Sequence, residues 1–249
     1  MASRARTPLT DSHVHLPAYA DAASDVVASA RTRGMRLVSV SVSAADAEPN
    51  FRLREENPST VRCFIGIHPS EAVAARGDFE RLAPMWERAD GVGEVGLDPK
   101  YSEVSPGSAQ MAVFKAQVEV AEHRNKPLQV HSRGAEDRCL DVLEGYALRS
   151  LLMHWFEGEE SLGRVISQGH FISFGPAILY SKKLLRIAKR CPPEIVLVES
   201  DGPVTFAALG GAEGPGLVPS VAFKLAEAWG KSFDEAVEQL SLNEKRSFR

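Results

Sequence analysis

The sequence predicts a single-domain α/β protein in which eight parallel strands and their connecting helices form a (β/α)8, or TIM, barrel. Three observations support this prediction. Eight short apolar segments alternate along the chain with segments of helical periodicity, which is the pattern of a parallel sheet. The length of 249 residues suits one such barrel. Histidine, glutamate and aspartate residues recur where the predicted strands end, and active sites lie at that end of these barrels.

The eight predicted strands are short and rich in aliphatic residues. The clearest is the segment Arg-Leu-Val-Ser-Val-Ser-Val-Ser, which alternates over most of its length as a strand does. Eight strands are the number that closes a barrel of this class. We predict strands at residues 8–15, 36–43, 61–67, 91–97, 127–131, 150–155, 170–174 and 194–199.

Helical segments separate these strands. Gly34 is a suitable C-cap for the first helix and Asp78 a suitable N-cap for the third. A loop rich in Gly and Pro at 202–219 follows the eighth strand, and no linker or internal repeat divides the chain, so residues 1–249 are predicted to form one domain with an extra C-terminal helix. We predict helices at residues 19–33, 46–57, 78–89, 110–124, 135–147, 159–168, 179–189, 220–229 and 233–244.

The composition excludes some classes of protein. The net charge of -4 provides no global basic surface for nucleic acid, so a nucleic-acid substrate would have to be held at a local site. No apolar run approaches the roughly 18 residues that a membrane span needs. Cys63, Cys139 and Cys191 show no Cys-x-x-Cys pattern, which favours reduced, packed thiols in a cytoplasmic protein. We expect a monomer without a stable protein partner.

A pair of histidines near the N terminus is the first candidate for a metal site. Residues 11–15 read Asp-Ser-His-Val-His at the end of the first predicted strand. Alternate side chains of a strand share a face, so His13 and His15 project together while Val14 points away. Because short His-x-His pairs also occur by chance on polar loops, other residues must decide whether this one binds a metal.

Other side chains that can bind metals fall at the ends of further strands. Packing does not explain this coincidence, because imidazoles and carboxylates are costly to bury unless something charged satisfies them. The additional candidates are Glu94 in the fourth strand, His131 at the end of the fifth, His154 at the end of the sixth and Asp201 at the end of the eighth.

Four histidines and two carboxylates are too many ligands for one tetrahedral ion with an open position. They suit two divalent ions about 3.5 to 4 Å apart, bridged by a carboxylate, as in enzymes that hydrolyse phosphoryl or acyl groups. Glu94 is the natural bridge because it comes from the middle of the strand order. One ion is predicted to take His13, His15 and Asp201, and the other His131 and His154.

These residues lie in motifs of a known family. The chain resembles the TatD-type metal-dependent hydrolases of the amidohydrolase superfamily over nearly its whole length. Its most specific motifs are Gly-Glu-Val-Gly-Leu-Asp at 93–98 and Gly-Ile-His-Pro at 66–69. The others are Asp-Ser-His-Val-His at 11–15, His-Ser-Arg at 131–133, His-Trp-Phe at 154–156 and Glu-Ser-Asp at 199–201.

The resemblance implies a deoxyribonuclease of the exonuclease type, or a related phosphodiesterase, with DNA as substrate and two Mg, Mn or Zn ions as cofactors. The chain departs from the family pattern in its substrate-facing loops. Gly134 follows Arg133 where the family usually has an acidic residue, and the runs at 202–206 and 214–217 also differ. These departures spare the metal ligands, so they concern the identity of the substrate more than the chemistry.

The predicted reaction is hydrolysis by a hydroxide that the ions activate. Asp201 would accept the proton of this nucleophile and pass it toward the leaving group, while Glu94 would bridge the ions. Arg133 is always cationic and lies two residues past a ligand, so it is predicted to hold a nonbridging phosphate oxygen.

Three further residues are predicted beside the ligands or the substrate. His68 ends the third strand, where it would contact phosphate, support a ligand or form only the turn before Pro69. Asp98 is expected to orient a ligand or a loop by hydrogen bonding. Trp155 follows a ligand at the mouth, where it would stack on a nucleobase or form an aromatic lid.

Two other readings stay open. A hydrolase of the same fold could act on an amide, a lactone or a small phosphoester, although no Lys lies at a strand end where a carbamylated bridge could form. A PHP-type phosphoesterase also begins with His-x-His but does not match residues 93–98. The second open reading is not enzymatic: a catalytically silent barrel that keeps its metals and acts through partners.

Overall fold

The computed structural model describes residues 7–248, in which eight parallel strands form one sheet. The strands follow one another around the sheet in sequence order, as expected when each is joined to the next by a helical crossover. They are β1 (Thr10–Val14), β2 (Arg36–Val40), β3 (Val61–Ile65), β4 (Gly91–Gly96), β5 (Leu128–His131), β6 (Leu151–Met153), β7 (Phe171–Phe174) and β8 (Val196–Val198).

Backbone hydrogen bonds join the first strand to the segment that follows the last. The Asp201 N–H donates to the carbonyl of His13 (3.0 Å), and the His15 N–H donates to the carbonyl of Gly202 (2.8 Å). The Asp11 carboxylate of β1 accepts from the N–H of Ser200 (2.9 Å). These bonds bring the two edges of the sheet together, so the predicted (β/α)8 barrel is confirmed.

Nine α-helices were predicted, and the described residues contain nine. Three of them begin at a serine whose hydroxyl accepts a hydrogen bond from the first turn, namely Ser108, Ser181 and Ser232. The helices are α1 (Ala23–Thr32), α2 (Ala47–Glu56), α3 (Arg76–Leu82), α4 (Ala109–His123), α5 (Glu136–Leu143), α6 (Leu162–Ser167), α7 (Lys182–Arg190), α8 (Val218–Trp229) and α9 (Phe233–Ser247).

Predicted helix starts differ from the structure by up to four residues, and two of these differences are informative. The segment 19–33 is divided into a 3-10 helix, Leu16–Ala22, and α1, because Ala20 has a positive φ of 49° that an α-helix does not accommodate. The prediction that Asp78 caps α3 is wrong, since the helix begins at Arg76. The Asp78 carboxylate instead accepts a hydrogen bond from the N–H of Ala44 (3.2 Å), which ties α3 to the loop after β2.

The Gly- and Pro-rich loop after β8 contains regular structure that its composition did not predict. Strands β9 (Thr205–Phe206) and β10 (Ala212–Glu213) pair in an antiparallel hairpin, and a 3-10 helix at Pro215–Leu217 leads into α8. Phe206, the second residue of β9, is buried. The loop is therefore a folded wall beside the strand ends.

Helix α9 closes the barrel at the opposite end, where the strands begin. Its buried Glu244 pairs with Arg36 (2.7 Å), the first residue of β2, and with Arg62 (3.4 Å), the second residue of β3. Its Asn243 donates to the carbonyls of Pro193 and Val196. The extra C-terminal helix is thus held by polar groups that the strand starts provide.

Buried hydrophobic side chains from Leu9 to Phe248 form one contiguous cluster in and around the barrel. Burial of this apolar surface is the main favourable contribution to folding. Cys63, Cys139 and Cys191 are free and lie within this cluster, as predicted. Within residues 7–248, no helix is both long and apolar enough to cross a membrane.

Candidate metal centre

A cavity of about 530 Å³ opens at the carboxyl ends of the strands. The side chains predicted as ligands meet at or beneath it, because the chain leaves each parallel strand at the same end of the barrel. All six predicted ligands lie there: His13, His15, Glu94, His131, His154 and Asp201.

Glu94 reaches the centre of this group because β4 approaches its neighbours closely. A Cβ atom at Gly96 would lie 1.9 Å from the carbonyl oxygen of His131, and Gly96 has a φ of 144° that favours glycine. A Cβ atom at Gly66 would lie 2.8 Å from the carbonyl oxygen of Glu94. The glycines of the Gly-Glu-Val-Gly and Gly-Ile-His motifs therefore allow the strand ends to converge.

The two carboxylate oxygens of Glu94 face different groups of imidazoles. Its Oε2 lies 3.4 Å from the Nε2 atoms of both His13 and His15. Its Oε1 lies 2.8 Å from Nδ1 of His131 and 2.6 Å from Nε2 of His154. Burial raises the pKa of Glu94, but the surrounding imidazoles, His154 above all, hold it well below its usual range, so the carboxylate is ionised.

His13 is oriented by a buried glutamine. Nδ1 of His13 lies 2.7 Å from Oε1 of Gln129, whose Nε2 donates to the carbonyl of Ser12 (2.9 Å). Because the Ser12 carbonyl needs a donor, the Gln129 amide presents its oxygen to His13, and Nδ1 of His13 carries the proton. The lone pair of His13 Nε2 is then directed toward Glu94.

Asp201 completes the first half of the cluster. Its Oδ1 lies 3.2 Å from Nε2 of His15 and 3.6 Å from Nε2 of His13, yet this buried oxygen accepts no hydrogen bond among the described residues. Burial raises the pKa of Asp201, but His15 and then His13 bring it below its usual value. A buried, ionised oxygen without a hydrogen bond, facing imidazole nitrogens, fits ligands that share one cation.

His131 is held from the other side by Asp98. Its Nε2 lies 2.8 Å from Oδ2 of Asp98, and the same oxygen accepts from Nε of Arg133 (2.9 Å). Burial raises the pKa of Asp98, but the bonds from His131, Lys100 N–H and Arg133 lower it to about 2. The contact with Asp98 orients the His131 ring so that Nδ1 faces Glu94. Burial lowers the pKa of His131, but the bonds to Asp98 and Glu94 raise it above its usual value.

His154 lies against His13, with the two rings stacked 3.8 Å apart. Behind it, Oε1 of the buried Glu199 accepts from the Trp155 N–H (2.8 Å) and lies 3.8 Å from Nδ1 of His154. Burial lowers the pKa of His154, but Glu94 and Glu199 together raise it well above its usual value. Two buried carboxylates therefore favour a positive charge at this position.

His68 also joins the cluster. Its Nδ1 accepts from the backbone N–H of Ser70 (3.1 Å), so a neutral His68 carries its proton on Nε2. That atom lies 3.4 Å from Nδ1 of His131 and 3.6 Å from Oε1 of Glu94. Burial lowers the pKa of His68 to about 4, which keeps the ring neutral and leaves Nε2 as a donor that faces the cavity.

Aromatic side chains form part of the cavity wall. Trp155, with a positive φ of 41°, stacks 5.8 Å from the ring of Phe206 and donates from Nε1 to Glu157 (3.0 Å). Tyr101 is half exposed and lies 5.5 Å from both the His68 ring and the guanidinium of Arg133. The predicted placement of Trp155 at the mouth agrees with this geometry.

Sequence reasoning assigned no function to Gln129. Gln129 lies two residues before His131 on the same strand and therefore on the same face, which is the signal that could have revealed it. The Asp11 carboxylate accepts from the N–H groups of His13 and Ser200 and from the hydroxyl of Ser200. It holds the backbone of the ligand segments, and burial raises its pKa to about 7.

Comparison with known proteins gives a consistent result. A family described as "TatD related DNase" matches residues 10–249. The human "Deoxyribonuclease TATDN3" is 26% identical, covering 96% of this chain and 94% of the human protein. The "Uncharacterized metal-dependent hydrolase YabD" of Bacillus subtilis is 28% identical, covering 97% of this chain and 99% of that protein.

Solved structures share the fold. The TatD homologue YJJV of Escherichia coli superposes with a TM-score of 0.85 at 23% identity, covering 96% of this chain and 97% of the other. A TatD family hydrolase of Entamoeba histolytica superposes with a TM-score of 0.82 at 17% identity, covering 99% of each chain.

Proposed function

We propose that this chain, which belongs to the TatD-related DNase family of metal-dependent hydrolases, cleaves phosphodiester bonds in DNA by means of two divalent ions. The observation that carries this proposal is the position of Glu94. Its two oxygens face two separate groups of nitrogen and oxygen atoms, as a carboxylate that bridges two cations would.

Each oxygen of Glu94 has its own set of candidate ligands. On the Oε2 side, Nε2 of His13, Nε2 of His15 and Oδ1 of Asp201 converge. On the Oε1 side are Nδ1 of His131 and Nε2 of His154. Nitrogen-rich sites of this kind favour Zn or Mn over Mg. Bound at these positions, divalent ions would lower the pKa of a water molecule and stabilise charge on phosphate oxygens.

Asp201 is the proposed proton acceptor. Its carboxylate is ionised, and its Oδ1 faces the cavity side of His13 and His15 without a hydrogen bond of its own. An ionised carboxylate beside the attacking water can take its proton and pass it toward the leaving oxygen.

Arg133 is the proposed phosphate contact. Its guanidinium lines the cavity, and the buried Asp98 fixes it at 2.6 Å and 2.9 Å through two nitrogens. Because Asp98 also holds His131, the cation is positioned relative to a ligand that faces Glu94. A rigid guanidinium in this place would hold a nonbridging oxygen of the substrate.

The test combines metal analysis with a nuclease assay. Purified protein is assayed on single-stranded and duplex DNA with Mg, Mn or Zn, and metal content is measured by mass spectrometry. We expect Asp201→Asn to reduce turnover by at least about 1,000-fold while much of the metal stays bound, because the amide still offers an oxygen ligand but no base.

Asp141→Asn is the matched control, since Asp141 pairs with Arg164 on the exposed face of α5. It should leave hydrolysis unchanged. Full activity of Asp201→Asn would refute the role of Asp201. Bound metal without hydrolysis of DNA or of a generic phosphodiester would favour an amide or lactone substrate, or a barrel without catalytic activity.

A further inference from the structure

The charges at the mouth of the cavity limit which substrates can reach Glu94. Among the described side chains that line it, Arg133 is the one permanently charged cation. Two carboxylates, Glu136 and Glu157, line the same mouth in addition to Glu94 and Asp201. The described lining of the cavity therefore lacks the basic track that would follow a nucleic-acid backbone.

Arg133 can bind little more than one phosphate group. Its guanidinium is bound through two nitrogens to the carboxylate of Asp98, which offsets much of its charge. The planar group also lies 5.5 Å from the ring of Tyr101. A single guanidinium held in one orientation can engage one phosphate group, but it cannot follow a series of them.

Glu136 and Glu157 both lie at the rim. A Cβ atom at Gly158 would lie 2.9 Å from Cγ of Glu136, so the side chain of Glu136 lies against the loop that carries Glu157. Glu157 is about half exposed and accepts a hydrogen bond from Nε1 of Trp155 (3.0 Å). Lys183 lies 3.7 Å from Glu157, too far for a close ion pair, and offsets only part of this negative charge.

A polynucleotide carries one negative charge per nucleotide, so a chain that extends past the mouth brings further phosphates toward these carboxylates. Resting on the proposed phosphodiesterase function, we propose that the site binds one phosphate with its adjoining nucleotide, and that Glu136 and Glu157 disfavour substrates whose backbone continues across the rim. We call this arrangement the single-phosphate footprint.

The footprint can be measured from the effect of salt on catalysis. The logarithm of kcat/KM for a single strand falls with the logarithm of salt concentration, with a slope of about -0.7 for each phosphate that the protein neutralises. A footprint of one phosphate, or two if a neighbour is reached, predicts a slope between about -0.7 and -1.4. A backbone track of four phosphates or more would give about -2.8 or steeper.

The experiment uses the metal-loaded protein and single-stranded thymidine oligonucleotides of 2, 4, 8 and 16 nucleotides at equal concentrations of ends. At low salt we expect kcat/KM to be up to about fivefold lower for the 16-mer than for the dinucleotide, because the two rim carboxylates disfavour the longer backbone, with the shallow salt slope given above. A slope of about -2.8 or steeper, or a rise in kcat/KM of more than fivefold from the shortest to the longest substrate, would overturn the single-phosphate footprint.

The rim is tested with the double variant Glu136→Gln/Glu157→Gln. Coulomb's law in water gives a factor of about 2.4 for each charge removed at about 8 Å, so kcat/KM on the 16-mer relative to the dinucleotide should rise about five- to sixfold at low salt and less at high salt. The control is Glu56→Gln on the exposed end of α2, which should leave this ratio unchanged.

The outcomes separate this proposal from the one on which it rests. An unchanged ratio in the double variant would show that the two glutamates serve only the local structure, for example at the N-terminus of α5, and would refute their selective role. Failure to hydrolyse any of these substrates with Mg, Mn or Zn would refute the phosphodiesterase function, and the single-phosphate footprint with it.

Discussion

Two carboxylates are buried at opposite ends of this barrel, and their neighbours differ. Glu94 lies where the strands end, among imidazoles that can each be neutral. Glu244 lies where the strands begin, beside the guanidinium groups of Arg36 and Arg62, which are always charged. Both side chains are almost completely buried, so burial alone does not distinguish them.

The difference distinguishes a buried carboxylate that stabilises the fold from one that can bind a cation. The arginines carry permanent charges that compensate the charge of Glu244 without an added cation. Around Glu94, Gln129 and Asp98 hold the rings of His13 and His131 so that the opposite ring nitrogens point inward. Lone pairs and carboxylate oxygens that converge on the same space favour a cation, whereas an arginine pair fills that space itself.

The largest expected effect comes from Glu94→Gln. The amide has one oxygen where the carboxylate has two, so it cannot bridge two ions, and bound metal should fall from two ions to one or none. Hydrolysis should fall by at least about 1,000-fold. Metal content by mass spectrometry and the rate of DNA cleavage check this, with circular dichroism as the control for folding. Two bound ions and normal hydrolysis in this variant would contradict the bridging role.

The same substitution at the other end should give the opposite pattern. Glu244→Gln leaves two partly exposed guanidinium groups without their carboxylate, and we expect a loss of about 2 to 3 kcal/mol in the free energy of unfolding. Activity per folded molecule should stay within twofold of the unchanged protein. Urea unfolding followed by fluorescence measures the stability. A large loss of activity without loss of stability would contradict the assignment of Glu244 to stability alone.

A smaller effect is expected from Gln129→Leu, which removes the acceptor for Nδ1 of His13 while keeping a side chain of similar size. The imidazole can then turn or change its tautomer, so metal affinity should fall by about 10- to 100-fold. Competition with a chelating dye measures this affinity.

Gln117→Leu provides the control for that experiment. Gln117 is equally buried, and its amide bonds to the N–H and the carbonyl of Ile67 instead of to a predicted ligand. This variant should lose stability but keep its metal affinity. If both variants weakened metal binding equally, the effect would belong to the strands in general and not to the contact with His13.

The last prediction concerns the three buried thiols, which report whether the packed core opens around them. Burial raises the pKa of Cys63 and Cys139 far above the ordinary value, and that of Cys191 to about 12. The reactive thiolate is therefore scarce at pH 8, and labelling by a disulfide reagent should be at least about 100-fold slower than in urea. Rapid labelling of one thiol in the folded protein would reveal local opening around it.

The sequence predicted the elements better than their ends. All eight strands were found, but the segment 150–155 is a strand only over Leu151–Met153. His154 and Trp155 lie beyond it, where Trp155 adopts a positive φ. The chain leaves the sheet at the point where it presents its functional side chains, and the preferences of single residues carry little information about such a bend.

The ligands could be predicted because their positions follow from local rules. His13 and His15 share a face by strand parity, and parallel strands end on one side of a barrel. His68 was ambiguous because its role depends on the hydrogen bond from Ser70, which determines which ring nitrogen faces the cavity. The hairpin in the loop after β8 was missed because a composition rich in Gly and Pro indicates turns but not their pairing.

The sequence by itself therefore determined the barrel, the side of it that carries the chemistry and the residue types gathered there, because these follow from periodicity and strand order. Only the tertiary structure decided which atoms meet. Gln129 reaches His13 across 116 positions of the chain, and Arg36 reaches Glu244 across 208. Contacts between such distant positions depend on how the strands close and on where each side chain finds space, and no local pattern records either.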